Sequence, residues 1–268
     1  MEQEPGGNLP NALAKIEQLF KIKGNRQLIV CLDYDGTMSP IVSDPDAAVL
    51  PEENRKIINQ LSKITSVVAI SGRDLQDLKS KIEIDSIIYA GSHGFDITGP
   101  DGIKMVHECE NDITPALDEA EKKLNEVLND IKGVKIERKK FAIAVHYRNV
   151  EEDELVGSVI HKVQKIADSQ KILKTGGGKK IMELKPDIEW NKGYALTWLQ
   201  NKMNWNLEKY FIIFIGDDLT DEDGFKSVKD DGIGILVGSH GEESAATFAL
   251  KDTKEVTAFL EQLNHRIT

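Results

Sequence analysis

A short apolar run that ends in two carboxylates is the feature that most constrains the fold of this chain. The run Leu28–Leu32 is rich in branched side chains, and Asp33-Tyr34-Asp35-Gly36-Thr37 follows it directly. This order predicts a buried parallel strand that delivers acidic groups to its carboxyl end, where ligands bind in open α/β sheets. Two aspartates at positions i and i+2 can serve as nucleophile and proton donor. Asp and Gly also favour turns on their own account, so a simple turn after the strand is the alternative.

Strands and helices alternate on both sides of a long middle segment. Further buried strands are predicted at residues 66–70, 87–90, 211–215 and 233–237, with helices that begin at Pro51 or span 74–81 and 193–203. Such alternation implies right-handed crossovers and a parallel sheet. The fold class is therefore predicted to be α/β.

The middle segment, about residues 95–186, has a different pattern. Helices are predicted at 113–131 and 151–168, and each precedes a hairpin, formed by 134–138 with 141–148 and by 171–175 with 179–185. The second hairpin is predicted to turn at Gly176-Gly177-Gly178. A helix followed by a hairpin, twice over, is typical of an α+β module with an antiparallel sheet. We therefore predict a core domain formed by residues 1–94 and 187–268, and an inserted module at 95–186.

The composition limits the classes of partner. The chain has 34 Lys and Arg against 45 Asp and Glu, a formal net charge of −11, so its surface repels nucleic acids and anionic membranes. Cys31, one of two cysteines, lies in the first predicted strand, which argues against a disulfide framework and for a reducing compartment. No apolar run has the length of a membrane span, and Met1–Pro5 lacks the basic and then apolar order of a signal peptide. We therefore predict a soluble, cytoplasmic protein with no nucleic-acid or membrane partner.

Two further predicted strands end in polar groups that suit a phosphate and a cation. Ser71-Gly72-Arg73 offers a hydroxyl and backbone N–H groups to a phosphate oxygen, although Ser-Gly is also an ordinary turn. The carboxylates of Gly216–Asp223 would repel one another unless a cation lay among them. An acidic first turn of the next helix is the alternative. Oxygen ligands from Asp33 and Asp217 favour Mg²⁺.

Four signals follow one another along the chain: Asp-x-Asp-Gly-Thr, then Ser71, then Lys192, then Gly-Asp-Asp-x-x-Asp. Taken alone, Lys192 is typical of a solvated surface charge. In this order, the four signals resemble those of the haloacid dehalogenase superfamily of phosphohydrolases, and the middle module looks like that superfamily's larger α/β cap. The resemblance implies a Rossmann-like parallel-sheet core with an inserted α+β cap.

Longer stretches are similar to the trehalose-6-phosphate phosphatase family. These stretches are Leu32–Ile41, Ile70–Arg73, Ala90–Gly94, Glu137–Lys139, Ala144–Arg148, Glu183–Pro186, Asn191–Gly193 and Gly216–Glu222. Met38 stands where leucine is usual in that family's pattern, a change that conserves volume and is expected to be harmless.

The resemblance implies a role for each catalytic residue of the core. Asp33 would attack phosphorus and form an aspartyl-phosphate. Asp35 would protonate the departing sugar oxygen and then take a proton from the hydrolytic water. Ser71, Gly72 and Lys192 would hold the phosphate and stabilise its developing charge.

The same resemblance implies a Mg²⁺ cofactor. Asp33, Asp217 and the backbone carbonyl of Asp35 would hold the ion, which shields the attacking carboxylate from the charge of the phosphate. Asp218 and Asp221 would be more distant or water-mediated ligands.

Recognition of the sugar is expected from the inserted module, because the core groups contact only the phosphate. In strand 141–148, Ala142, Ala144, His146 and Arg148 share one face, and Phe141, Ile143, Val145 and Tyr147 share the other. Small alanines beside polar groups leave room for a ligand on the first face, although a solvated face would show the same alternation.

Charged residues complete the predicted sugar site. Glu183 shares a face with Lys185 and can accept hydrogen bonds from two sugar hydroxyls. Arg138, Lys139 and Lys185 would supply local positive charge. His93, at the exit towards the inserted module, is interpreted either as a substrate contact or as hinge packing.

The favoured hypothesis is a Mg²⁺-dependent phosphatase that releases trehalose from trehalose 6-phosphate. The first alternative is a phosphatase for another glycosyl phosphate, such as sucrose phosphate or mannosylglycerate phosphate. The second is a non-catalytic sugar-phosphate sensor, or a module that pairs functionally with a trehalose-phosphate synthase. A silent relative is expected to lose Asp33, Asp35 or Lys192, and all three are present.

Overall fold

The computed structural model describes residues 9–268 except 43, 179, 207 and 231. The chain divides into two compact units. The core unit runs up to Met105 and resumes at Trp190, and the inserted unit is Val106–Glu189. Among the described residues, no helix is both long and apolar enough to cross a membrane. The N-terminal residues Met1–Pro5 and the strand residue Lys179, on which predictions were made, lie outside the described part.

The core unit contains an eight-stranded sheet. Its strands are β1 (Gln27–Leu32), β2 (Ser66–Ile70), β3 (Ile88–Gly91), β4 (Asp96–Thr98), β5 (Lys104–Val106), β10 (Tyr210–Gly216), β11 (Gly232–Val237) and β12 (Phe248–Leu250); the strands numbered between them belong to the inserted unit. The order is β12-β11-β10-β1-β2-β3-β4-β5. The six strands from β12 to β3 are parallel, and β4 is antiparallel to β3.

Helices cover both faces of this sheet. In the described part of the chain, six of the eight α-helices belong to the core unit: α1 (Ile16–Lys23), α2 (Glu52–Leu61), α3 (Leu75–Ile82), α6 (Lys192–Met203), α7 (Glu222–Ser227) and α8 (Thr253–Ile267). Leu28, Val30 and Leu32 pack in one apolar cluster with α1, α2, α3 and α8, whereas Ile29 and Cys31 pack in a second with α6 and α7. Because both faces of β1 are buried, its sequence is a continuous apolar run. The predicted α/β fold with a parallel sheet is confirmed.

The large sheet continues past the predicted boundary at residue 94. Residues 95–106 were predicted to belong to the insertion, but β4 pairs with β3, and Ile97 and Ile103 pack in the core's second apolar cluster. Strands of three residues carry too little alternation to be recognised in sequence.

The inserted unit is an α+β module with its own antiparallel sheet, as predicted. It contains the helices α4 (Glu110–Leu128) and α5 (Asp153–Asp168) and the strands β6 (Lys135–Arg138), β7 (Ile143–His146), β8 (Leu173–Gly178) and β9 (Ile181–Pro186). The sheet order is β6-β7-β9-β8, and each neighbouring pair is antiparallel. Leu117 and Leu124 of α4 and Val163 of α5 pack against Ile143 and Val145 of β7.

The turn predicted at Gly176-Gly177-Gly178 is wrong. These glycines lie inside β8, where Gly176 pairs with Glu183, Gly177 with Met182 and Gly178 with Ile181. At Gly176, a Cβ atom would lie 2.9 Å from Cε of Lys185, whereas at Gly177, with a φ of +149°, it would overlap the carbonyl of Ile181. Gly176 therefore leaves room for the long side chain of Lys185, and Gly177 allows close approach of the neighbouring backbone.

Candidate active site

The predicted core residues lie at the carboxyl ends of neighbouring parallel strands. Asp33 follows β1, Ser71 follows β2 and Asp217 follows β10. The backbone N–H of Asp33 donates to the carbonyl of Ile215 at 2.9 Å, which continues the pairing of β1 with β10. The register of the sheet thus delivers side chains that are distant in sequence to one edge, where ligands bind in this class of fold.

A buried lysine joins two of the aspartates. Asn191 caps α6 by accepting a hydrogen bond from the N–H of Tyr194, so Lys192 is the first residue of the helix. Its Nζ donates to Oδ1 of Asp33 and to Oδ1 of Asp221, both at 2.7 Å. Lys192 is only 2 % exposed, so the interpretation as a solvated surface charge is wrong. Burial alone would lower the pKa of Lys192, but Asp221 and Asp33 raise it above its usual value, so the site contains a fixed cation.

Three carboxylates gather around this lysine. Oxygen atoms of Asp33, Asp217 and Asp221 lie within 4.8 Å of one another. Burial, with the charges of Asp221 and Asp218, raises the pKa of Asp217 to about 8, and burial is also the main reason that the pKa of Asp221 rises to about 6. Burial likewise raises the pKa of Asp33, against the opposite effect of Lys192. Two buried carboxylates and the half-buried Asp217 lie beside one ammonium, so the site has an excess of negative charge that a hard divalent cation with oxygen ligands would balance.

Asp221 uses both of its oxygen atoms within the protein. Oδ1 accepts from Lys192, and Oδ2 accepts from the backbone N–H groups of Asp217 and Asp218 at 3.1 and 3.2 Å. Asp218 turns its own Oδ1 to the N–H and hydroxyl of Thr220, at 2.8 and 2.7 Å. The structure therefore groups Asp217 with Asp33 and Asp221, and directs the Asp218 carboxylate to Thr220.

Gly36 allows Asp217 to approach the first motif. Its φ is +86°, and a Cβ atom at this position would overlap the carboxylate of Asp217. The glycine of Asp-x-Asp-Gly-Thr therefore serves a long-range contact as well as a local turn.

Asp35 has a partner that the sequence analysis did not assign. Nε and Nη2 of Arg73 donate to its two carboxylate oxygens at 2.7 Å each. No role was predicted for Arg73 from the motif Ser71-Gly72-Arg73. The sequence offered a signal that Arg73 lies near Asp35, because Arg73 follows the end of β2 and the carboxylates follow the end of the neighbouring strand β1.

The segment Ser92–Gly94 packs on the loop that holds Ser71 and Gly72. Ser92, His93 and Gly94 have φ values of +49°, +55° and +90°, a conformation that costs energy in residues other than glycine. The backbone N–H of His93 donates to the carbonyl of Ser71 at 2.8 Å, and a Cβ atom on Gly72 would lie 2.7 Å from Cε1 of the imidazole. Gly94 contacts α6, where a Cβ atom would overlap that of Ala195. His93 is therefore packed against the predicted phosphate-binding loop.

In the inserted unit, a row of residues crosses one face of the antiparallel sheet. Glu137 pairs with Ala144, Ala144 with Glu183, and Glu183 with Gly176. We call the side chains on this side the polar face. On it, Nζ of Lys139 lies 3.0 Å from Oε1 of Glu183.

The polar face includes more of the predicted residues and one that was missed. Nε2 of His146 lies 2.9 Å from Oε2 of Glu137, and Lys185 lies over Gly176. Ile143, Val145 and Tyr147 pack in the apolar core of the unit on the other side, as the alternation predicted. No substrate contact was predicted for Glu137, although its spacing from Lys139 puts both side chains on one face of the strand.

Two predicted sugar contacts, Arg138 and Arg148, do not belong to the row of residues just described. Arg138 pairs with Ile143 in the register, so strand alternation turns it to the helix side. There Nη2 lies 3.2 Å from Oδ1 of Asp118, a residue of α4. Arg148 is exposed, beyond the end of β7. The structure does not bring Arg138 onto the polar face with Glu183.

Comparison with known proteins gives matches over nearly the whole chain. A family model described as Trehalose-phosphatase matches residues 31–254. The chain is 37% identical over 265 residues to probable trehalose-phosphate phosphatase E of Arabidopsis thaliana, with 95% of this chain and 75% of the relative covered. It is 35% identical over 272 residues to trehalose 6-phosphate phosphatase RA3 of Zea mays, with 96% of this chain and 75% of the relative covered.

Solved structures share the fold. The C-terminal domain of C. albicans trehalose-6-phosphate phosphatase matches with a TM-score of 0.79 at 24% identity, with 97% of this chain and 100% of that chain covered. A haloacid dehalogenase-like hydrolase from Bacteroides thetaiotaomicron matches with a TM-score of 0.63 at 17% identity, with 89% and 99% covered. The predicted haloacid dehalogenase type of fold is confirmed.

Proposed function

The chain belongs to the trehalose-phosphatase family of phosphoric monoester hydrolases, and on that premise we propose that it hydrolyses trehalose 6-phosphate to trehalose and phosphate with Mg²⁺. The family membership confirms the resemblance found in the sequence. The observation that carries the proposed mechanism is the buried contact of Lys192 with Asp33 and Asp221, beside Asp217. This contact places a positive charge beside Asp33, so the carboxylate can approach a negatively charged phosphate.

Asp33 is the proposed nucleophile. One of its oxygens forms a bond to phosphorus while the bond between phosphorus and the sugar oxygen breaks, and Asp35 gives its proton to that oxygen. A water then attacks phosphorus, Asp35 takes a proton from it, and the bond to Asp33 breaks to release phosphate. Attack needs the ionised form of Asp33, which Lys192 favours at 2.7 Å.

Mg²⁺ is the proposed cofactor. The excess of negative charge at the three carboxylates supports it. Asp33, Asp217 and the backbone carbonyl of Asp35 would hold the ion, and Asp218 and Asp221 would act at a greater distance or through water. When bound, the ion neutralises charge on the phosphate and on the attacking carboxylate. Asp221 also has a separate task, because it fixes Lys192.

Ser71, Gly72 and Lys192 are proposed to hold the phosphate. Ser71 is buried at the end of β2, and its hydroxyl together with the backbone N–H of Gly72 would suit a phosphate oxygen. His93 packs on Gly72, so its proposed role includes support of this loop as well as contact with substrate.

The polar face of the inserted unit is proposed to bind the sugar. Glu183 can accept hydrogen bonds from two hydroxyls, and Lys139, His146 and Lys185 lie on the same face. Ala144 has a small side chain at the centre of this face, and Gly176 leaves room for Lys185, which supports a ligand site there. Arg148 stays a proposed contact, whereas the ion pair of Arg138 with Asp118 supports a role in holding α4.

The proposal is tested by phosphate release from a panel of sugar phosphates. Trehalose 6-phosphate, sucrose 6-phosphate, mannosylglycerate phosphate and glucose 6-phosphate are compared with Mg²⁺ and after chelation, with Asp33→Asn as the inactive control. We expect the highest kcat/KM on trehalose 6-phosphate and loss of activity on chelation. A preference for another sugar phosphate would refute the substrate, and undiminished release by the chelated enzyme would refute the cofactor.

A further inference from the structure

A half-buried arginine, Arg73, holds the carboxylate of Asp35 at both oxygens. Nε of Arg73 donates to Oδ2 and Nη2 donates to Oδ1, each at 2.7 Å. A two-pronged contact of this kind fixes the plane of a carboxylate as well as its position. Each oxygen keeps a further lone pair for another partner, so the carboxyl group is held without being blocked.

Arg73 is the fixed member of the pair. Its side chain is 9% exposed, whereas that of Asp35 is 41% exposed. Nη1 of Arg73 also donates to Oδ2 of Asp77, on α3, at 2.8 Å, and the guanidinium carbon lies 5.3 Å from the centre of the Tyr34 ring. Because Asp77 and Tyr34 hold the guanidinium in place, Arg73 determines the position of the more exposed Asp35 carboxylate.

We infer that Arg73 is a positioning residue of the phosphatase reaction, which orients the carboxyl group of Asp35 towards the oxygen of the leaving group. The inference rests on the proposed function, in which Asp35 transfers the proton. Proton transfer in the transition state requires the donor within hydrogen-bond reach of the oxygen, and small displacements of a catalytic group are costly. Arg73 acts through Asp35 and has no assigned contact with phosphate or metal.

Arg73→Lys is the principal variant, because lysine keeps the charge but cannot form the two-pronged contact. The sugar oxygen is a poor leaving group that needs a proton, so kcat/KM on trehalose 6-phosphate, which reports the steps up to departure of the sugar, should fall about tenfold or more. p-Nitrophenyl phosphate needs no proton on its leaving group, and its kcat/KM should fall less than about threefold. Equal losses on both substrates would overturn the inference.

A double-variant cycle tests whether the effect passes through Asp35. Phenyl phosphate is used because its leaving group is intermediate and Asp35→Asn should retain measurable turnover. Arg73→Lys should slow the wild-type background by about fivefold and the Asp35→Asn background by less than about twofold. The same factor in both backgrounds would show that Arg73 acts independently of Asp35, and would overturn the inference.

Two further variants separate positioning from general loss of structure. Asp77→Asn weakens the anchor of Arg73 without touching Asp35, and should give a smaller loss with the same dependence on the leaving group. Arg55→Lys is the matched control, since Arg55 is also a half-buried arginine of the core unit and donates to the carbonyls of Lys81 and Ile82. It should change neither substrate's kcat; a loss that depends on the leaving group in Arg55→Lys would contradict the assignment to Arg73.

The outcomes distinguish this inference from the proposed function. If the wild type releases phosphate from aryl phosphates but not from trehalose 6-phosphate, the substrate proposal fails and the phenyl phosphate cycle still decides the role of Arg73. A readout without turnover is the NMR signal of the Arg73 Nε–H in the full chain. It should be protected from solvent exchange in the wild type and lose that protection in Asp35→Ala. Equal protection in both proteins would overturn the inference whatever the activity.

Discussion

Replacing Asp221 by asparagine removes an acceptor from a buried side chain that uses both of its oxygens. Oδ1 accepts from the ammonium of Lys192, and Oδ2 accepts from the N–H groups of Asp217 and Asp218. An asparagine has one oxygen and one NH₂ group. In either orientation, the NH₂ group faces a donor, so one set of these contacts is lost.

The cost follows from these contacts. Breaking a buried ion pair costs about 3–5 kcal/mol, and the lower end applies because Lys192 keeps Asp33 at 2.7 Å. Loss of the negative charge relieves little repulsion at neutral pH, because the pKa of Asp217 is raised to about 8 and a proton already reduces that repulsion. We therefore expect a loss of about 3 kcal/mol, or a fall of roughly 6–12 °C in Tm for a chain of this size.

Thermal and urea unfolding of the metal-free protein at neutral pH measures this loss. Asp218→Asn is the matched control, because Oδ1 of Asp218 accepts both bonds from Thr220 and an asparagine oxygen can accept them too. It should cost less than about 1 kcal/mol. If Asp221→Asn unfolds as the control does, Asp221 does not hold the buried lysine, and the reasoning is refuted.

Three further predictions concern the other carboxylates. The pKa of Asp217 is raised from 3.8 to about 8, so the folded metal-free protein binds an extra proton between these values and loses stability as pH rises through that window. Asp217→Asn should flatten this dependence of stability on pH, by up to about 1.4 kcal/mol per pH unit, in thermal unfolding with chelator. An unchanged slope would show that Asp217 does not cause it. Asp33→Asn should abolish metal-dependent phosphate release and keep the circular dichroism spectrum of the wild type; substantial turnover in the purified variant would exclude an aspartyl-phosphate. Glu183→Ala should lower kcat/KM on trehalose 6-phosphate by about ten- to a hundred-fold through lost charge-assisted hydrogen bonds, and kcat/KM on p-nitrophenyl phosphate should barely change. Equal losses on both substrates would show that Glu183 supports the fold and does not bind the sugar.

Features that depend on local sequence were predictable. The strand β1 and the carboxylates after it follow from a continuous apolar run and its ending, and β2 was predicted with its observed bounds, Ser66–Ile70. The polar face of β7 followed from alternation. In each case, the signal lies within a few residues.

Features that depend on long-range side-chain geometry were not predictable. Arg73 and Asp35 lie 38 residues apart; the order of the strands indicates that they are neighbours, but no pattern in either segment specifies their two-pronged contact. A turn was predicted at the glycine run of β8 because glycine favours turns, but Gly176 leaves space for Lys185 and Gly177 allows close approach of the Ile181 backbone. Arg138 was chosen for its charge, whereas strand alternation decides which side it faces.

The contact of Gly94 with Ala195 links the turn between β3 and β4 to the chemistry of the core. Gly94 stands shortly after β3, and Ala195 lies on the helix that begins with Lys192. A single methyl group at residue 94 would push against that helix one turn from the lysine. A substitution in this turn would therefore reach the charge balance beside Asp33 through the helix, without removing any charged group.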